Sequence, residues 1–208
     1  MQVDALKLIH VDAELLVLDK PSGLLAVPGL GPAGADSLST RVQQQYADAL
    51  VVHRLDMATS GLMLFARGLA AQRQLAKAFE QRQVAKRYEA WVEGSVEAEA
   101  GQIDAPLAAD WPRRPRQQVD RLNGKSAVTH WHVLKRGTGR TRLMLQPVTG
   151  RTHQLRVHLL SIGHPICGDA LYAPLPLQAD RLLLHATALS FAHPGSGQRL
   201  HFANPAPF

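Results

Sequence analysis

The stretch His53-Arg54-Leu55-Asp56-Met57-Ala58-Thr59-Ser60-Gly61 places one carboxylate among small and polar residues, with the apolar runs LVV before it and LMLFA after it. By type, Asp56 can cap the turn into MATSG through its side-chain oxygens, or it can act on a substrate as nucleophile or base. Position alone leaves both open. A second polar group runs from Gly150 to His158 and holds Arg151, His153, Gln154 and Arg156. Its two histidines are five residues apart, about 140° around a helix, whereas metal-binding pairs that share a face sit three or four apart. No metal site is expected. The sequence NGKSA ends like a phosphate loop, but Val119 stands where the first glycine of that loop would be. HRLD inverts the last two residues of the kinase catalytic loop, and no Asp-Phe-Gly or glycine-rich strand loop accompanies it. A zinc deaminase would need His-x-Glu with a cysteine pair, and a glycoside hydrolase a second carboxylate beside Asp56. Neither pattern is present in these stretches.

The elements that must position these groups follow from the hydrophobic pattern. ELLVLDKPSGLLAVPG reads as a strand, a Pro-Ser-Gly turn and a second extended piece, and Ser37 or Asp36 is placed to cap a helix to about Ala47. GLMLFAR is a buried strand by its apolar run. LAAQRQLAKAFEQRQ has Leu69, Leu75, Ala78 and Phe79 at helical spacing. AKRYEAWVEG alternates as a strand, Tyr88, Ala90 and Val92 facing one way and Arg87, Glu89 and Trp91 the other. Further strands are expected at AVTHWHVLKR, TRLMLQPV, RLLLHATALSFAHP and RLHFANP, and a helix from about Thr152 to Ile162, stopped by Gly163 with Pro165 beyond. Strands adjacent in sequence with few helices predict an α+β domain on a mostly antiparallel or mixed sheet.

A chain of 208 residues, 46% of them hydrophobic, is long enough to bury a sizeable core as one domain. The apolar runs are broken well short of the roughly 18 residues that span a bilayer, and the N-terminus carries acids where a signal peptide would be basic and then apolar. A cytoplasmic protein with no membrane partner is expected. The single cysteine, Cys167, leaves no internal disulfide and reads as a small buried hydrophobe. Charge is uneven: residues 1–120 hold 13 Lys/Arg against 15 Asp/Glu, and residues 121–208 hold 10 against 2. A one-signed stretch of this kind fits a polyphosphate partner, since each neutralised phosphate releases counterions, although a solvated surface has the same composition. Arg136, Arg140 and Arg151 are the candidate phosphate contacts in that stretch.

Four segments, KPSGLLAVPG, VVHRLDMATSGLMLFAR, KRYEAWVEG and PVTGRTHQLRVHLLSIGHPICGDALY, together resemble the RluA family of pseudouridine synthases in their order and intervals, over residues 10–205. The segment DWPRRPRQQV at 110–119 resembles the members of that family that act on both 23S rRNA and tRNA. The resemblance implies a single catalytic domain over residues 1–208, with a mixed, largely antiparallel central sheet flanked by helices and loops, no S4-like domain, no cofactor, and a monomer that binds RNA. It implies that Asp56 is the catalytic carboxylate, that Arg156 pairs with it, and that Tyr88 stacks on the target base and handles its C5 proton. Arg54 matches the arginine that enters the RNA where the uridine leaves, and Leu155 gives an apolar pocket floor. Met57, after HRLD, and Cys167, in GHPICGD, depart from the commoner residues of the family. Two other readings are kept: a catalytically silent RNA-binding protein of the same fold, and an RNA-cleaving or nucleoside-hydrolysing enzyme using His53 and Asp56.

Overall fold

The computed structural model describes residues 6–208. In chain order, its first elements are β1 (Leu8–Val11), β2 (Leu15–Lys20), α1 (Leu38–Gln45), β3 (Ala49–Val51), β4 (Ser60–Arg67) and α2 (Gly68–Glu80). There follow β5 (Ala85–Glu93), β6 (Ala100–Asp104), β7 (Leu107–Ala109), β8 (Gln117–Val119), β9 (Val128–Gly137), β10 (Arg140–Pro147), α3 (Gln154–Ser161), β11 (Leu184–Ala192) and β12 (Arg199–Ala203). The fold class is α+β, as the patterns predict. The chain divides into two compact units, one made of the segment through Ala85 together with Ala186–Pro207, the other of Lys86–His185 with Phe208.

In the first unit β2 lies antiparallel to β4, from Leu15 opposite Ala66 to Lys20 opposite Gly61. β1 pairs with β2, β3 with β4 and β12 with β11, each antiparallel. LLVL and LMLFA are continuous apolar runs because both faces of these strands are covered: Leu15 to Leu18 and Leu62 to Ala66 are all fully buried. Leu15, Val17, Leu62 and Leu64 pack with Ala71 and Leu75 of α2 and with Phe191 of β11. Gly61 has φ +111, and a Cβ there would fall on the backbone of Ala186, so β4 and β11 close up only with glycine at this position. The β1–β2 turn is tied by Asp12, whose carboxylate accepts the N–H groups of Glu14 and Leu15 at 2.8 and 2.9 Å and His10 Nε2 at 2.7 Å. His193, after β11, reaches the same carboxylate at 3.3 Å.

In the second unit the strands run in the order β5-β10-β9-β6, with antiparallel pairing throughout, and β7 and β8 form a separate hairpin. α3 is buried on most sides, so its polar residues must find partners inside. Gln154 donates to the Val128 carbonyl and to Thr129 Oγ1, both at 3.0 Å, and accepts from Thr149 Oγ1 at 2.7 Å and from the Arg151 N–H at 3.0 Å. His158 donates through Nε2 to the Ala105 carbonyl and accepts at Nδ1 from Thr129, both at 2.9 Å. Burial holds the His158 pKa below its ordinary value, so the ring that fits this chain is the neutral one.

Several expectations change in detail. Ser37, not Asp36, caps α1, accepting from the Thr40 N–H at 3.1 Å, while Asp36 pairs with Arg41. The LLAVPG piece forms no strand; Leu25 makes only an isolated bridge to Ser37. α3 begins at Gln154, two residues later than the pattern predicts, because His153 has φ +53 and a left-handed residue cannot continue a right-handed helix. Trp91, expected opposite Tyr88, is itself buried with Cys167 and Leu183, so this end of β5 is covered on both faces.

Candidate active site

The loop carrying Asp56 is held from below by the turn that follows β2. Lys20 ends β2 with its side chain fully buried, and its Nζ donates to the carbonyls of Pro21 and Leu24, each at 2.7 Å, and of Met57 at 3.0 Å. The Ser22 hydroxyl donates to the Ala58 carbonyl at 2.7 Å, and the Gly23 N–H to the Met57 carbonyl at 2.9 Å. The carbonyls of the two residues after Asp56 are thus fastened by three donors from Lys20-Pro21-Ser22-Gly23, which is the physical content of the KPSG sequence. The Thr59 N–H closes the turn on the Asp56 carbonyl at 3.1 Å. Burial drives the Lys20 pKa down to about 8, and the charges of Asp56 and Asp19 oppose that fall. The half-buried Asp56 carboxylate therefore shares its surroundings with a desolvated ammonium, where attraction between the two is stronger than in water. Sequence reading passed over Lys20, since lysine is almost always exposed; its position at the end of an apolar strand, before Pro-Ser-Gly, was the available signal.

Two neighbours of Asp56 in sequence part company in space. Arg54 is exposed, as an RNA contact requires. His53 is half-buried, its Nε2 accepting the Leu64 N–H at 2.9 Å and its ring stacked on Phe79 at 4.6 Å between centroids. A nitrogen held by a strand amide is a poor general base, and this removes the geometric support for a His53–Asp56 hydrolase.

In the second unit, Arg156 and Leu155 lie side by side on α3, both buried. Arg156, 5% exposed in its side chain, forms a two-pronged pair with Asp169, which is fully buried: Nε to Oδ2 at 2.7 Å and Nη2 to Oδ1 at 2.6 Å. Asp169 Oδ1 also accepts the Leu171 and Tyr172 N–H groups at 3.0 and 3.2 Å, and the Arg156 guanidinium lies 5.0 Å over the Tyr172 ring. The planar fork of arginine is thereby fixed in direction. The Tyr172 hydroxyl accepts the Gln117 N–H at 2.7 Å and sits 2.8 Å from His153 Nδ1. Asp169 and Tyr172 belong to the GDALY segment, and a buried partner for Arg156 was the part the sequence did not reveal. Tyr88 is half-buried on β5, opposite Leu145 of β10.

The three arginines expected on phosphates are differently placed. Arg136 closes on its own unit, donating to the carbonyls of Val96 and Glu97 at 2.9 Å and of Ala98 at 3.3 Å, and pairing with Glu99 at 2.7 Å. Arg140 lies 4.5 Å over the Trp91 ring. Arg151, exposed ahead of α3, donates to the Ser126 carbonyl at 3.1 Å.

Known proteins resemble this chain over nearly its whole length. Residues 14–161 match the family model of RNA pseudouridylate synthases. The chain is 48% identical to the dual-specificity RNA pseudouridine synthase RluA of Yersinia pestis over 203 residues, covering 96% of this chain and 98% of that one. Against the protein of the same name from Escherichia coli K12 it is 46% identical over 206 residues, covering 98% and 94%. Human RNA Pseudouridylate Synthase Domain Containing 1 superposes with a TM-score of 0.83 at 27% identity, covering all of this chain and 86% of the human one. A match to one family model across most of the chain, with 46–48% identity to RluA proteins over nearly its whole length, makes this protein a member of the RluA family of RNA pseudouridine synthases.

Proposed function

We propose that the protein converts specific uridines to pseudouridine in structured loops of 23S rRNA and tRNA, with Asp56 as the catalytic carboxylate. The observation that carries the reading is the seat of Asp56: one half-buried acid on a turn whose carbonyls are fastened by Lys20, Ser22 and Gly23. The isomerisation breaks the C1′–N1 bond and forms C1′–C5; N1 gains a proton, C5 loses one, and composition is unchanged. One carboxylate meets that demand, acting on the ribose as nucleophile at C1′ or base at C2′ while the base turns over in place. Tyr88 stacks on the base and serves its C5 proton, Arg156 directs the carboxylate, and Leu155 lines the pocket. A uridine inside a loop is unstacked before its C1′ can be reached, and Arg54, exposed beside Asp56, fills the place it leaves. Arg151 supports the RNA backbone. The pairing of 23S rRNA with tRNA follows the relatives named dual-specificity. We also read the protein as a cytoplasmic monomer.

The test incubates purified protein, in EDTA, with a tRNA transcript and a 23S rRNA fragment, and maps pseudouridine by carbodiimide adducts and primer extension. Wild type gives stops at discrete uridines with RNA length unchanged. Asp56→Asn gives none, while its RNA affinity stays within a few-fold of wild type, because losing a negative charge does not weaken a phosphate contact. Pseudouridine formation by Asp56→Asn, or release of free uracil by wild type, overturns the assignment.

A further inference from the structure

The β7–β8 hairpin carries an arrangement that packing does not account for. From Leu107 to Lys125 the chain holds five basic residues, Arg113, Arg114, Arg116, Arg121 and Lys125, against two acids, Asp110 and Asp120. Both acids are engaged within the hairpin. Asp110, with its side chain 5% exposed, pairs with Arg113 at 2.7 Å, and Asp120 accepts the N–H groups of Leu122 and Asn123 at 3.0 and 2.9 Å. At the tip stands Trp111, 68% exposed, whereas Trp91 and Trp131 are 8% and 7% exposed. The Arg114 guanidinium lies over its ring, 3.3 Å from the centroid, which orients the indole and leaves the opposite face to solvent. The open face of this ring is apolar area that a flat partner would remove from water, on a tip whose charge favours an anionic one.

The root is stiff, so the tip presents a defined surface. Leu107 packs with Ala127, Val157 of α3 and Tyr172, and the Gln117 N–H donates to the Tyr172 hydroxyl at 2.7 Å. A Cβ on Gly124 would lie 2.8 and 2.9 Å from backbone atoms of Pro106 and Leu107, so glycine lets Lys125 bridge to Leu107 at the base of the hairpin. Arg116 lies 5.2 Å over the ring of Tyr172, the same ring that underlies Arg156.

We propose that the hairpin tip is a stacking platform for RNA: the open face of Trp111 takes an unpaired base outside the catalytic pocket, and Arg113, Arg114 and Arg116 hold the neighbouring phosphates. The proposal rests on the reading of the protein as an RNA-modifying enzyme. Every base offers a π-face, so such a platform tolerates many sequences and selects for an unpaired nucleotide.

Trp111 is the one water-facing tryptophan of the three, so acrylamide quenching of intrinsic fluorescence reports on it. Saturating tRNA transcript is expected to lower the quenching constant towards that of Trp111→Phe. Trp111→Ala is expected to raise the Kd for the transcript about 5- to 100-fold, with Trp111→Phe recovering most of the loss. Arg116→Ala should weaken binding and flatten the slope of log affinity against log salt by about one unit. Each variant is checked for an unchanged melting temperature, and the conservative Trp111→Phe reads the stack without an exposed hole. Unchanged quenching at saturating RNA overturns the platform, as does a Kd within two-fold for Trp111→Ala. Equal protection by polyglutamate at matched charge also overturns it, since an acidic chain has no base to stack. The two readings fail separately: a wild type that makes no pseudouridine in the same transcript defeats the proposed function, while an active wild type with unprotected Trp111 defeats only the platform.

Discussion

At the scale of the residue, Lys20 has a role that its type conceals. Three carbonyls converge on its ammonium, and a neutral amine has only two hydrogens for them, so deprotonation near pH 8 releases one carbonyl and removes the positive charge acting on Asp56. Turnover is expected to fall as pH rises through about 8. Folding stability should move the other way: the folded pKa of about 8 lies below the ordinary 10.5, so the unfolded chain binds more protons between the two values, and stability rises with pH over that window. Single-turnover pH–rate profiles beside urea unfolding at pH 7.5 to 10 check this opposition, and parallel trends in both would remove Lys20 as the cause. Lys20→Met removes the ammonium donor from three carbonyls, of which that of Met57 keeps the Gly23 N–H, each of the other two worth about 1–3 kcal/mol where water does not replace it, and should cut the rate by at least about tenfold at neutral pH. Asp56 was legible in the sequence through the family resemblance, since its position alone leaves a turn cap equally open. Lys20 and Asp169 were not, because burial of a charge depends on partners that sequence spacing does not place together.

At the scale of the element, β2, β4, β5, β9, β10, α2 and β11 were legible, since each is long enough for its apolar run or period to show. β1, β3, β6 and the β7–β8 hairpin were not. Strands of three to five residues such as LAA, QQV and AGQID contain at most two repeats of a two-residue period and are fixed by neighbours, as Gly101 is by Trp131 opposite it. α3 was seen as a helix from the stop signals Gly163 and Pro165, which say nothing of how its polar side chains are satisfied inside. His158 tests that chain of bonds. Its folded pKa is lowered from 6.5, so the unfolded state binds the extra proton first, and stability is lost as pH falls below about 6.5 towards the folded value. His158→Leu should reduce that loss while lowering stability by about 1–3 kcal/mol, some 2–10 °C in Tm, as the Ala105 carbonyl and Thr129 lose their partner. Thermal melts of both proteins from pH 5 to 8 decide it; an unchanged acid slope would place the titration elsewhere. Arg136 invites a different prediction from the one its charge suggests. With its guanidinium closed on the carbonyls of residues 96–98 and on Glu99, Arg136→Ala should lower Tm and leave the salt slope of RNA binding unaltered. A slope flattened by one unit would return Arg136 to the RNA.

At the scale of the whole molecule, the charge imbalance follows the units: the first holds nine Lys/Arg against eight Asp/Glu, the second fourteen against nine. The electrostatic part of RNA affinity is therefore expected to reside mainly in the second unit, where the hairpin tip lies. The composition of the first unit, from the two ends of the sequence, has a further consequence for how the chain is made. When a ribosome has delivered Ala85, β2, β4 and α2 exist but β11 and β12 do not; Gly61 still lacks Ala186 and Asp12 still lacks His193. Residues 86–185 take about 5–20 s to synthesise at typical rates, and through that interval the apolar faces of β2 and β4 stay unfinished. The second unit, continuous in the chain, can complete itself first. A nascent chain ending at His185, extended by a linker that fills the exit tunnel, is expected to show protease-resistant residues 86–185 and sensitive residues 6–85, with resistance of the latter appearing only once β12 has left the exit tunnel. Uniform sensitivity of such halted chains would mean that neither unit forms without the other. The expected order of folding is thus the reverse of the order of translation: Asp56 is among the early residues to emerge and belongs to the unit expected to finish last.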